Sequence, residues 1–134
     1  MTKFFIEYLN DLQTKCTHTD NLSTLITDAP KDNMGKGEEF SPTDLVAVAL
    51  GSCLLTIMGI AAKKLKVALV DLSATVQKEM ATAPSRRIGK LTVEIRCKKI
   101  DPKSQKMIEA FALTCPVHES LHPDVKQDIT FEWL

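Results

Sequence analysis

Four cysteines and three histidines are the side chains of this sequence best suited to nucleophilic, redox or metal chemistry. Cys53 lies in the most apolar stretch of the chain, where a thiol either packs as a small apolar side chain or, given a cation or base, serves as a nucleophile. Cys115 stands in the step Thr114-Cys115-Pro116, which opens a helix. Unpaired amide N–H groups at such an end favour a thiolate, and the same step reads equally as a small residue ahead of proline. Cys97 shares an alternating face with Leu91, Val93 and Ile95 and reads as packing, while Cys16 receives no role. Cys115, His118 and His122 form C-x-x-H-x-x-x-H, half of a zinc site. A fourth ligand is missing nearby and Pro123 ends the helix at His122, so no metal is expected. Arg86, Arg87 and Arg96 are the only arginines. The first two open a strand, either as a solvated strand end or as a guanidinium able to stabilise a thiolate.

These groups depend on the elements that carry them. Ser41, Pro42 and Asp44 spell a helix start: an N-cap serine, proline at the first helical position, and a carboxylate at the third that closes a capping box. The helix bearing Cys53 then runs through the uncharged segment Leu45–Ala62 to Lys63, Lys64 and Lys66, whose charges suit its C-terminal dipole. Three short strands precede it, around Phe4–Leu9, Leu12–His18 and Leu22–Thr27, parted by Asn10-Asp11 and Asp20-Asn21 turns. The Pro- and Gly-bearing segment 28–39 is a loop. Alternation predicts strands over Ala68–Gln77 and Leu91–Lys98, with a turn near Pro84. Asp101-Pro102 starts a second helix with Met107, Ile108 and Phe111 on one face. Cys115-Pro116 starts a third, ending at Leu121, and Val125–Trp133 closes the chain as a strand.

A chain of 134 residues and 14.9 kDa fits one domain, residues 1–134. Seventeen basic and seventeen acidic residues leave no net field to draw the chain onto nucleic acid or an anionic membrane face. The cysteines are too few and too dispersed for a secreted disulfide scaffold, and the opening MTKFFIEYLNDLQTK lacks a secretory apolar stretch. A cytoplasmic location follows as the expectation. Length alone would let Leu45–Ala62 cross a bilayer. Its Ala, Gly, Ser and Thr content and its flanking alternating segments instead suit the central helix of an α+β domain. Being apolar nearly all round, that helix needs cover from sheet or from a second chain.

With the run SPTDLVAVALGSC and, further on, CPVHESL, the sequence resembles the OsmC/Ohr family across nearly its whole length. The resemblance implies an OsmC-like α+β fold, antiparallel sheets wrapped around the long helix, and an intertwined homodimer with its sites at the subunit interface. In the peroxidase branches it further implies a helix cysteine that reduces organic hydroperoxides and a second cysteine that resolves it; Cys53 and Cys115 hold those motif positions. The reaction needs no cofactor. Cys53 attacks the O–O bond, its sulfenic acid condenses with Cys115, and an external dithiol restores both thiols. Those branches also use a glutamate just inside the helix and an arginine from the N-terminal strands. Here Thr43 stands at the glutamate position and no arginine precedes Arg86. Arg86 or Arg87, Asp44 or Glu39, and His118 are therefore the candidate supporting residues, with Phe40, Leu54, Met58 and Phe111 as an apolar pocket for the alkyl group. A non-catalytic dimer on the same scaffold, binding an apolar small molecule or sensing redox state, is the alternative.

Overall fold

The structure, a computed structural model, describes residues 1–134. Its contacts fall into two compact units, Met1–Val46 and Ala47–Leu134, the division lying within the long helix.

The first unit is an antiparallel meander of β1 (Phe4–Asn10), β2 (Gln13–His18) and β3 (Thr24–Asp28). Its first turn puts Asn10, Asp11 and Leu12 at positive φ, a conformation that Asn and Asp tolerate through local hydrogen bonding. Thr27 and Asp28 are buried, and the Asp28 carboxylate accepts a 2.9 Å hydrogen bond from the Glu38 N–H, folding the loop that follows back onto the sheet. Phe40 forms a single parallel bridge with Thr27 at the loop's end. The predicted capping box is present: Ser41 N–H donates to Asp44 Oδ2 at 2.9 Å, and Asp44 N–H donates to Ser41 Oγ at 3.1 Å.

From that cap α1 (Pro42–Leu65) runs for 24 residues. Within the second unit Leu50, Leu54 and Met58 are wholly buried against Leu91, Val93 and Ile95. A helix of this length and mean hydropathy, 2.3 over its most apolar window, would suffice to cross a bilayer; here its apolar side builds a protein core. Gly51 permits the closest approach to the sheet, since a β-carbon built there would lie 2.8 Å from Val76 Cγ2.

The sheet of the second unit comprises β4 (Ser73–Ala81), β5 (Arg87–Cys97) and β6 (Lys126–Trp133). Between β5 and β6 come α2 (Pro102–Ala112), capped by Asp101, and α3 (Pro116–Ser120), capped by Cys115. β4 and β5 are antiparallel, whereas β5 and β6 are parallel, which corrects the expectation of purely antiparallel sheets. The two intervening helices carry the chain back along the sheet, so β6 starts at the same end as β5. In register, Val93 faces Ile129, Ile95 faces Phe131, Cys97 faces Trp133 and Glu94 faces Thr130. On the outer face Lys90–Asp128 and Arg96–Glu132 ion pairs, each 3.2 Å, cross the two strands.

The first strand after α1 is also displaced from its expected span. Residues 68–72 alternate in apolarity but form no strand, because Lys66 and Asp71 take positive φ and turn the chain before pairing can begin at Ser73.

Candidate functional site

The two cysteines singled out in the sequence meet in the second unit. Cys53, half-buried on α1, packs against the core cluster that contains Cys115, fully buried at the head of α3, near enough for its thiol to raise the Cys115 pKa. Helical phase explains the pairing. Cys53 stands three residues after Leu50 and one before Leu54, about 60° and 100° around the helix from them, which puts it on the flank of the buried face and in the packing that includes Cys115.

Cys115 is held from several directions. Its backbone N–H donates to Ala112 O at 3.0 Å, its carbonyl accepts from Glu119 N–H, and Sγ accepts the His118 N–H at 3.4 Å. Burial pushes the thiol above the ordinary cysteine range and the adjacent Cys53 sulfur pushes the same way, while the His118 and Val117 amides pull against both. Of the two readings the sequence left open for Cys115, a thiolate at a helix end or a packed small residue, burial favours the packed, protonated thiol.

His118 supports this thiol through its backbone. Its ring Nδ1 lies 2.6 Å from Gln127 Oε1, and Gln127 Nε2 donates to the His118 carbonyl at 3.2 Å. The His122 ring, exposed, accepts the Asp124 N–H at 3.0 Å. The C-x-x-H-x-x-x-H run does not converge into a set of three metal-ligating side chains.

Both candidate arginines are exposed at the start of β5. Arg87 Nη1 lies 3.8 Å from Asp124 Oδ2, a solvated pair of small energetic weight that draws this guanidinium toward the α3–β6 loop. In the first unit Asp44 closes the capping box, and Glu39 lines a shallow recess with Gly37, Glu38, Phe40 and Asp44.

The expected apolar pocket needs correcting as well. Leu54 and Met58 have no exposed surface and belong to the core. Phe111 instead lines an apolar recess of about 190 Å³ with Ala61, Lys64, Leu65 and Met107, near the end of α1, and Lys64 Nζ sits 5.0 Å above its ring. Phe40 is exposed in the first unit. Apolar spacing on a helix identifies a face, and that periodicity is the same whether the face lines a core or a pocket.

Cys97 is buried packing as expected. Its thiol donates to Val70 O at 3.4 Å, and burial pushes its pKa up. Cys16 lines a surface recess of the first unit with Phe4 and His18. Gln127 is the participant that sequence reasoning missed. The available signal was a lone amide on the apolar face of a strand, alternating with Ile129, Phe131 and Trp133.

Comparison with known proteins places this arrangement. The OsmC family profile, described as OsmC-like protein, matches residues 35–130. The chain belongs to the OsmC family. A Psychrobacter arcticus 273-4 structure, described as an osmotic stress induced and detoxification response protein, is 44% identical, with a TM-score of 0.92 over 98% of this chain and 96% of that one. An organic hydroperoxide resistance protein OsmC from Legionella pneumophila is 18% identical, with a TM-score of 0.80 over 98% and 96% of the two chains. One from Elizabethkingia anophelis is 12% identical, with a TM-score of 0.81 over 100% and 96%. At these lower identities the likeness is one of OsmC-like fold. No curated protein sequence matches the chain significantly.

Proposed function

We propose that this OsmC family member is a thiol-dependent peroxidase acting on organic hydroperoxides. The observation that carries this reading is the proximity of the Cys53 and Cys115 thiols, one half-buried and the other fully buried in the core against which Cys53 packs. Family relatives described as organic hydroperoxide resistance proteins supply the substrate class.

Cys53, the more accessible sulfur, attacks the terminal peroxide oxygen as its thiolate. The O–O bond breaks, the alkoxide takes up a proton and leaves as an alcohol, and Cys53 becomes a sulfenic acid. Cys115 then bonds to Cys53 Sγ, the S–O bond breaks, and the hydroxyl departs as water with the Cys115 proton. An external dithiol reduces the disulfide, a cycle suited to the reducing cytoplasm. Packing of Cys53 against the core that holds Cys115 supports resolution between neighbouring groups.

A homodimer completes the site in this reading. Exposed Phe4, Phe5, Ile6 and Tyr8 on β1, and Val48 and Ile60 on α1, supply the apolar surface that a second chain would cover. Arg86 or Arg87 is the candidate to steady the Cys53 thiolate, Arg87 after leaving Asp124.

The test follows alkyl hydroperoxide consumption with a dithiol reductant. Cys53→Ser should abolish turnover, and Cys115→Ser should complete one reaction per chain and then accumulate a Cys53 sulfenic acid trappable by a 1,3-dione. Undiminished turnover by Cys53→Ser refutes the assignment. Absence of wild-type turnover, with an apolar molecule retained through purification, would favour a binding protein.

A further inference from the structure

We propose that Gln127 is a positioning residue for the resolving step: by clamping His118 at two points it fixes Cys115 in the orientation from which its sulfur reaches Cys53. The inference rests on the redox reading of the cysteine pair and names a residue that reading does not require.

Gln127 is the exception on its strand face. It sits opposite buried Leu91 on the inner side of β6, followed by Ile129, Phe131 and Trp133 on the same side. An amide among apolar neighbours costs stability unless its polar atoms are satisfied. Here both ends are spent on one residue: Oε1 on the His118 ring at 2.6 Å and Nε2 on the His118 carbonyl at 3.2 Å. Two bonds on opposite parts of one residue restrain its rotation as well as its position. The restrained residue is the one whose N–H reaches Cys115 Sγ at 3.4 Å. The contacts therefore run from β6 through His118 to the Cys115 sulfur, in the core against which Cys53 packs.

The restraint also defines the His118 tautomer. With Oε1 facing it, Nδ1 carries the proton and donates, while Nε2 keeps a lone pair when the ring is neutral. α3 is only five residues long and would hold Cys115 weakly by its own backbone bonds, so an anchor from the adjacent strand is what a reproducible sulfur geometry requires.

The experiment measures closure of the Cys53–Cys115 bridge under the oxidant diamide, whose N=N bond takes two electrons and two protons from the two thiols and becomes a hydrazine. No hydroperoxide is involved, so failure of this inference is separable from failure of the peroxidase reading. A Cys16→Ser background removes the remaining partly exposed thiol, and peptide mapping identifies the bridge. Gln127→Met keeps length while removing both bonds, and should close the bridge about tenfold more slowly, the effect of losing one to two modest hydrogen bonds from the reactive geometry. Alkylation of Cys53 by iodoacetamide should stay within about twofold of the parent under the same conditions. Gln127→Glu retains an acceptor for Nδ1 without the donor to the carbonyl, and should fall between the two. Bridge closure at the parent rate in either folded variant overturns the proposal, as does an equal slowing of Cys53 alkylation, which would indicate general loosening. Should Gln127→Met not fold, the Gln127→Glu rate decides alone.

Discussion

Gly51 and Gly59 lie on the same helix and carry opposite expectations for substitution by alanine. A β-carbon on Gly51 falls 2.8 Å from Val76 Cγ2, whereas one on Gly59 meets nothing within 4 Å. Nonbonded carbons rest at about 3.5–4.0 Å, so Gly51→Ala requires α1 and β4 to separate by about 0.7 Å or more. The obstructing methyl cannot swing aside, because it belongs to a β-branched residue packed against the core. Alanine gains about 1 kcal/mol over glycine in a helix interior. Overpacking a filled core costs about 1–3 kcal/mol, and the upper half of that range applies where the neighbour is rigid. Gly51→Ala should therefore lose about 1–2 kcal/mol net, lowering Tm by about 3–7 °C for a chain of this size. Gly59→Ala should gain about 1 kcal/mol. Thermal and urea melts followed by circular dichroism read both. Adding Val76→Ala to Gly51→Ala should restore part of the loss, with a coupling of at least about 1 kcal/mol in the double-mutant cycle. A Gly51→Ala protein as stable as its parent, or a cycle without coupling, would refute the close packing of helix on sheet. A loss at Gly59 would show that a second molecule occupies that side of the helix.

Ser41→Ala removes the buried hydroxyl that caps α1 and should cost about 1 kcal/mol, visible as a lower urea midpoint; an unchanged midpoint would show that the Asp44 half of the capping box suffices. The pKa values of Cys97 and Cys115 are raised by burial in the folded chain, so the stability tied to their neutral thiols is complete below the unfolded thiol value, about 8.5. It is lost as pH rises through that value toward the folded ones. Melting temperature should accordingly fall on the alkaline side, and less steeply in Cys97→Ala; parallel profiles for the two proteins would contradict the assignment.

Helix starts were legible because their signals are local. Ser41-Pro42-Thr43-Asp44 and Asp101-Pro102 each place cap and proline within a turn of one another, and both caps form as read. The face of each sheet strand was legible from alternation: Leu91, Val93, Ile95 and Cys97 are all buried. Strand direction was not, since alternation is identical for parallel and antiparallel neighbours, and β6 proved parallel. Apolar alternation also misplaced the strand after α1, where positive φ at Asp71, invisible to hydrophobic pattern, delays pairing. At the site, the motifs located both cysteines, but nothing local to Leu54 or Met58 distinguishes core from pocket, and Gln127 acquires its meaning only when β6 is laid beside α3.

The alignment of β5 with β6 carries a consequence for how the chain folds. Parallel strands joined through two helices must find each other across a long excursion, with ample opportunity to settle out of step. A one-residue error exposes the oily side and is rejected at once. A two-residue error keeps that side inward and would otherwise pass. In the native pairing Glu94 stands opposite neutral Thr130; shifting β6 two positions in one direction brings Asp128 there, and in the other, Glu132. Either mistake sets two anions face to face. The slip that brings Glu132 to Glu94 also carries Asp128 opposite Lys90, which natively faces Lys126, and so offsets its own penalty; the outer charges discriminate chiefly against the slip that sets Asp128 beside Glu94 and parts Arg96 from Glu132.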